Sequence, residues 1–126
     1  MRVSIEARGS YLRVEVAGRE TPEEGRSVVE RIIAEQARTG LKNILVIVRE
    51  SPAMFRVESW EFSAFATRLA GIPGLRIALA SDAADLYASQ QYIALLSKQR
   101  ALDVAAFPHE ASALAWLLAE RRSDLG

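Results

Sequence analysis

Thr21-Pro22-Glu23-Glu24, followed by Asn43-Ile44-Leu45-Val46-Ile47-Val48, brackets the stretch that decides the fold. Thr21 is a good helix N-cap, Pro22 suits the first helical position, and Glu24 completes a capping box. Val28, Val29, Ile32, Ile33 and Gln36 then recur at helical spacing, and Gly40 supplies the stop. The run from Asn43 to Val48 is apolar and β-branched without alternation, the pattern of a strand buried on both faces. A capped helix delivered into such a strand predicts an α/β sheet with parallel strands and right-handed crossovers.

Upstream, Val3, Ile5 and Ala7 alternate with Ser4, Glu6 and Arg8, and Leu12, Val14 and Val16 alternate with Arg13 and Glu15. Gly9-Ser10 between them suits a two-residue type II′ turn. Folding there pairs Ala7 with Leu12, Ile5 with Val14 and Val3 with Val16 on one face, and sets Glu6 opposite Arg13 on the other. One apolar and one polar face predict a hairpin covered on a single side.

Downstream, Arg49 to Val57 is the longest irregular connection. A second helix is predicted from about Ser59 to Ala70, presenting Phe62, Phe65, Ala66 and Leu69, and Gly71-Ile72-Pro73-Gly74 breaks it. Leu75 to Ala80 reads as a strand. Ser81-Asp82 offers a cap to a third helix running to about Lys98, with Leu86, Ile93 and Leu96 on one face. Leu102 to Phe107 is the last strand and Glu110 to Arg122 the last helix, where Arg121 and Arg122 complement the helix dipole. The order β-β-α-β-α-β-α-β-α predicts one α/β domain over residues 1–126. Its sheet is five-stranded, mixed and mostly parallel, with an N-terminal hairpin and backing helices.

The 126 residues are 50% hydrophobic and 25% charged, the balance of a soluble globular chain. Sixteen basic side chains against sixteen acidic ones give no basic excess to advertise nucleic acid. The absence of cysteine excludes disulfides, thiolate metal sites and cysteine nucleophiles. Charge in Met1-Arg2-Val3-Ser4-Ile5-Glu6 argues against a secretory signal, and Ile44 to Val48 is too short to cross a bilayer. A cytoplasmic protein without a membrane span is expected.

Ligands of open α/β sheets gather at the carboxyl ends of the strands, here Arg49-Glu50-Ser51-Pro52, Ser81-Asp82 and Pro108-His109. His109, the sole histidine, reads as a solvated residue of a helix's first turn. As a general base it would need a partner nucleophile, and none is nominated. Ser51 reads as a turn device or as a nucleophile or phosphate acceptor beside an Arg49 anion clamp. Arg49 and Glu50 equally read as an exposed charge pair. Asp82 and Asp85 could join Glu50 around a divalent cation, but capping explains them at lower cost. Glycines never form a phosphate-binding run. No cofactor, metal or catalytic residue is expected. Met54, Phe55, Val57 and Trp60 either tuck beneath the long loop or form a binding surface, whereas Trp116 reads as packing.

Gly18-x-x-Thr21-Pro22-Glu23-Glu24, Ile44-Leu45-Val46-Ile47-Val48-Arg49-Glu50, and Ala106-Phe107 leading to Ala113-Leu114-Ala115-Trp116-Leu117 together resemble the STAS-like proteins, most closely the SpoIIAA-like group. The resemblance implies a mixed sheet backed by helices, no enzyme activity, and recognition through the second helix's N-terminus and the loop before it. The phosphoswitch branch of that family carries Asp-Ser-Ser-Gly there. This chain reads Pro52-Ala53-Met54-Phe55-Arg56-Val57-Glu58-Ser59-Trp60-Glu61, which lacks it. Ser59 still falls at a helix start, where phosphate is favoured, although Glu58 and Glu61 oppose it. The expectation is a non-enzymatic regulatory domain binding a protein partner, or a second copy of itself, through Arg49, Glu50, Ser51, Met54, Phe55, Ser59, Trp60 and Asp82. The alternative is a binder of a small hydrophobic ligand or lipid, with residues 49–57 as a lid.

Overall fold

The computed structural model describes residues 1–52 and 66–119. The elements are β1 (Arg2–Arg8), β2 (Tyr11–Ala17), α1 (Pro22–Thr39), β3 (Asn43–Arg49), α2 (described over residues 66–70), β4 (Arg76–Ser81), α3 (Ala84–Lys98), β5 (Asp103–Phe107) and α4 (Glu110–Leu118). The five strands form one mixed sheet in sequential order, β1 antiparallel to β2 and every later pair parallel.

The local signals act where they stand. Thr21 Oγ1 accepts from the Glu24 amide at 3.2 Å, and Glu24 Oε1 accepts from the Thr21 amide at 3.1 Å, closing the capping box. Gly40, at φ +71°, ends α1 by donating to Gln36 O at 2.8 Å. The hairpin adopts the predicted register, Ala7 facing Leu12, Ile5 facing Val14 and Val3 facing Val16. Only the first central turn residue, Gly9 at φ +62°, enters the left-handed region, as a type II′ turn requires.

Sequential strands joined by right-handed crossovers place every crossover helix on one face. Leu12, Val14, Val16, Ile44, Val46, Ile77 and Val104 accordingly pack with Val28 and Ile32 of α1, Ala66 of α2 and Ala94 of α3. No strand follows α4, so handedness does not bind it. It lies on the opposite face, where Ala113 and Leu117 meet Leu45, Ile47, Ala78 and Ala80. β3 is therefore buried on both sides, as its unbroken apolar run foretold.

A helix about 10 Å wide spans two or three strands spaced about 4.8 Å apart. α4 covers β3, β4 and β5 and, among the described residues, leaves the corresponding face of β1 and of most of β2 without a helix over it. The alternating polar residues of the hairpin, among them Arg2, Ser4, Glu6, Arg13 and Glu15, occupy that open half.

Three expectations change. α3 begins at an N-cap of Ala83 with no side-chain cap, because Ser81 is still sheet-paired with Val48; Asp82 lies exposed and does not cap it. His109 is the N-cap of α4, again without a side-chain bond, and precedes the first turn instead of lying in it. α4 stops at Leu118, where Ala119 turns extended at ψ 144°, short of the expected Arg122. Residues 120–126, with Arg121 and Arg122, lie outside the described residues. Arg76 of β4 meets the helix end instead. Its guanidinium carbon sits 4.0 Å from the Trp116 ring centroid, and Nη1 donates to Ala119 O at 3.4 Å. A cation there complements the carboxyl end of the helix dipole, and Asp103 Oδ2, 3.2 Å from Nε, balances its charge.

No helix among the described residues is long and apolar enough to cross a membrane. The placement of α4 predicts different costs for two adjacent leucines. Leu117, 1% exposed, should lose about 2–5 kcal/mol of stability on substitution by Ala. Leu118→Ala, at a position 45% exposed, should change it by no more than about 0.5 kcal/mol. Urea unfolding of the two variants measures both.

Candidate functional site

Parallel pairing of β2, β3 and β4 brings the ends of these strands to one edge of the sheet, with the start of antiparallel β1 beside them. Arg49, Glu50 and Ser51 come together there with Arg2 and with the Gly18-Arg19 turn that leads into α1. That turn is absent from the sequence-based candidates.

The geometry at this edge is a set of fasteners. Gly18 N donates to Arg49 O at 3.1 Å, locking the exit of β2 to the exit of β3. Glu50 adopts φ +51°, a left-handed conformation costly for a side-chain-bearing residue. After it, the Ser51 hydroxyl donates back to Arg49 O at 2.8 Å and accepts from Arg19 N at 3.0 Å. Arg19 Nη2 also donates to Pro52 O. The Ser51 oxygen thus holds two pieces of backbone, the contacts of a turn device.

The charged side chains are also engaged. Glu50 pairs with Arg2 at 2.8 Å, both well exposed. Arg49 Nε donates to Glu15 Oε1 at 2.8 Å, so Arg49 and Glu50 do not pair with each other as one sequence reading had it. Arg13 lies opposite Glu6 as expected, but its guanidinium turns to α4, donating to Glu110 at 3.0 and 3.2 Å and to Glu15 at 3.3 Å. Glu6 instead accepts from Arg8. Arg13, Glu15, Arg49 and Glu110 form a four-membered knot at the line where α4's cover ends and the open half of the sheet begins. Glu110 also stands in the first turn of α4, where the helix dipole favours a carboxylate.

An open cleft of about 330 Å³ borders this knot, lined by Arg2, Ser4, Glu15, Ala17, Arg49 and Glu50 among others. Two guanidinium–carboxylate pairs lie within that lining, so the formal charge of the described lining residues is balanced.

At the end of β4, Gln90 of α3 donates to Ala80 O at 2.8 Å, tying helix to strand. Asp85 Oδ1 accepts from the Leu86 amide at 2.9 Å. No group of three metal-ligating side chains is assembled among the described residues, so Asp82, Asp85 and Glu50 do not converge on a cation. Trp116 packs against Phe107 with ring centroids 5.5 Å apart and against Arg76, as its packing assignment expected. Met54, Phe55, Val57, Ser59 and Trp60 lie outside the described residues.

No protein family matches this chain, and no curated protein matches it in sequence.

Hydrogen bonding from Arg49, then from Arg13, holds Glu15 below the ordinary glutamate value of 4.5. Backbone amides of Glu20 and Thr21 do the same for Glu24. The unfolded chain therefore takes up these protons first. The stabilisation is complete above about pH 4.5 and is lost as the pH falls through the depressed folded values. The urea midpoint should drop on acidification from about pH 5 to about pH 3, and the drop should be smaller in Glu15→Gln. Ser51→Ala removes both fastening bonds of the hydroxyl and should cost about 1 kcal/mol of stability in the same assay.

Proposed function

We propose that this chain is a non-enzymatic, STAS-like binding and regulatory domain whose partner is a protein. In this reading the recognition surface is built on the segment that follows β3. The observation that carries it is the use of the polar groups at the carboxyl edge. Ser51 is committed to holding backbone, Arg49 and Glu50 are paired with Glu15 and Arg2 respectively, and Arg19 N and Gly18 N are drawn into the same clasp. A hydroxyl bonded on both sides is poorly placed to attack a substrate. Groups arranged in this way anchor a loop.

The loop so anchored continues directly into Met54, Phe55 and Trp60. Large aromatic side chains, Trp above all, are the residue types enriched at binding hot spots. Ser59 lies next to Trp60 in the sequence, so its phosphorylation would add charge at the same surface.

Native mass spectrometry joined to affinity capture tests this reading. Trp60→Ala and Met54→Ala should each lower partner recovery about tenfold or more, the loss expected for a hot-spot residue, while thermal melting stays close to wild type. Recovery unchanged in both variants would contradict the proposal. A small mass that is retained by the native chain and lost on denaturation would replace it with the apolar-ligand reading.

A further inference from the structure

We propose that β1 is a self-pairing edge, and that two copies of this chain join through it, antiparallel about a twofold axis at Ser4, into one continuous ten-stranded sheet. This surface is separate from the segment after β3, so the inference stands or falls independently of the proposed function.

β1 is seven residues long and, among the described residues, pairs only with β2. In a two-residue hairpin the residues flanking the turn, here Arg8 and Tyr11, exchange hydrogen bonds, so the even-numbered residues of β1 bond inward. The amides and carbonyls of Val3, Ile5 and Ala7 consequently point away from β2, and no strand among the described residues pairs with them.

The sequence of the edge selects one register. A twofold axis perpendicular to the sheet preserves its faces, so residues on one face meet residues of that face. With Ser4 opposite Ser4, Val3 of each copy hydrogen-bonds with Ile5 of the other, and Arg2 of each faces Glu6 of the other. Both charge pairs are then attractive. Moving the axis to Ile5 would set Arg2 against Arg8, two cations directly opposed, which is destabilising. In the single copy Arg2 and Glu6 make only exposed pairs, with Glu50 and Arg8 respectively, and such pairs are worth little and exchange readily.

The apolar face gains as well. Val3 and Ile5 are only partly buried and pack against the cluster beneath α1. The Ser4 register sets Val3 and Ile5 of one copy against Ile5 and Val3 of the other, making one apolar layer of the two clusters. α1 packs over β1 and β2. With strands about 4.8 Å apart, each α1 stands about 5 Å from the axis and the two helices about 10 Å from each other, a normal packing distance.

The helix flanks also match. The Met1 ammonium, 3.7 Å from Glu24 Oε2, marks the side of α1 that faces β1. Arg31, Glu35 and Arg38 share that side at helical spacing. Three strand residues from Met1 to Ser4 cover about 10 Å, equal to about seven helical residues, which brings the axis near Arg31. Glu24 of each helix then faces Arg38 of the other, and the two Arg31 side chains meet at the axis with a Glu35 one turn from each. β5, the opposite edge, is shorter, and antiparallel self-pairing about its centre would set Asp103 against Phe107.

The chain has no cysteine, so one introduced thiol reports the register alone. Directly opposed residues of a non-hydrogen-bonded antiparallel pair have Cα atoms about 4.5 Å apart, within disulfide range. Ser4→Cys should give a covalent dimer on mild oxidation, while Arg8→Cys, which has no residue opposite it in this register, should stay uncrosslinked. Sedimentation equilibrium should show wild-type dimer, with Glu6→Arg weakening it about tenfold or more and the double variant Arg2→Glu/Glu6→Arg restoring it. A wild type that is monomeric at every concentration overturns the proposal. So does Ser4→Cys crosslinking no faster than Arg8→Cys, or a double variant no more dimeric than Glu6→Arg.

Discussion

The handedness of the crossovers governs the rest of this molecule. Because strands β2 to β5 follow one another across the sheet in chain order, right-handed connections send α1, α2 and α3 to a single face. Among the described residues the other face receives α4 alone, the helix with no described strand after it. One helix cannot roof five strands, so among the described residues the sheet is covered over β3 to β5 and not over the hairpin. The residue pattern follows that division, with apolar residues on both sides of β3 and a polar outer face on β1 and β2. The knot of Arg13, Glu15, Arg49 and Glu110 sits on the dividing line, where charged groups can reach both solvent and the end of α4.

At the carboxyl edge the same architecture gathers the residues that a search for chemistry would select first, and it spends them on structure. Gly18, Arg19 and Ser51 clasp the exits of β2 and β3, and Glu50 accepts a left-handed backbone to make the clasp possible. On the reading proposed here the acting surfaces are two, the segment launched from Pro52 and the unpaired side of β1.

Much of this was legible in the sequence, and the division between legible and hidden is physical. The hairpin register follows from Gly9-Ser10 and a period of two; the start of α1 follows from Thr21 and Glu24, three residues apart. Interactions of that range are written locally. The Arg13–Glu110 contact joins residues 97 positions apart, and it exists only because α4 crosses to the second face. Arg76 at the end of α4 is hidden for the same reason: it is a strand residue 43 positions from the Ala119 carbonyl it meets. At the candidate site, Arg49, Glu50 and Ser51 were visible as a strand end, but their partners Arg2, Arg19 and Glu15 come from the hairpin and become neighbours only through the parallel pairing of β2 with β3. Asp82 failed as a cap because sheet pairing held the chain through Ser81 and moved the helix start past it.

The central claim is that the outer side of β1 pairs with a second copy. Amide hydrogen exchange of β1, followed residue by residue at high and low protein concentration, tests it most directly. The outward amides of Val3, Ile5 and Ala7 should be protected in concentrated solution and exchange freely on dilution, while those of Ser4 and Glu6, bonded to β2, stay protected at both. Exchange at Val3, Ile5 and Ala7 that is fast and indifferent to concentration would contradict a self-pairing edge.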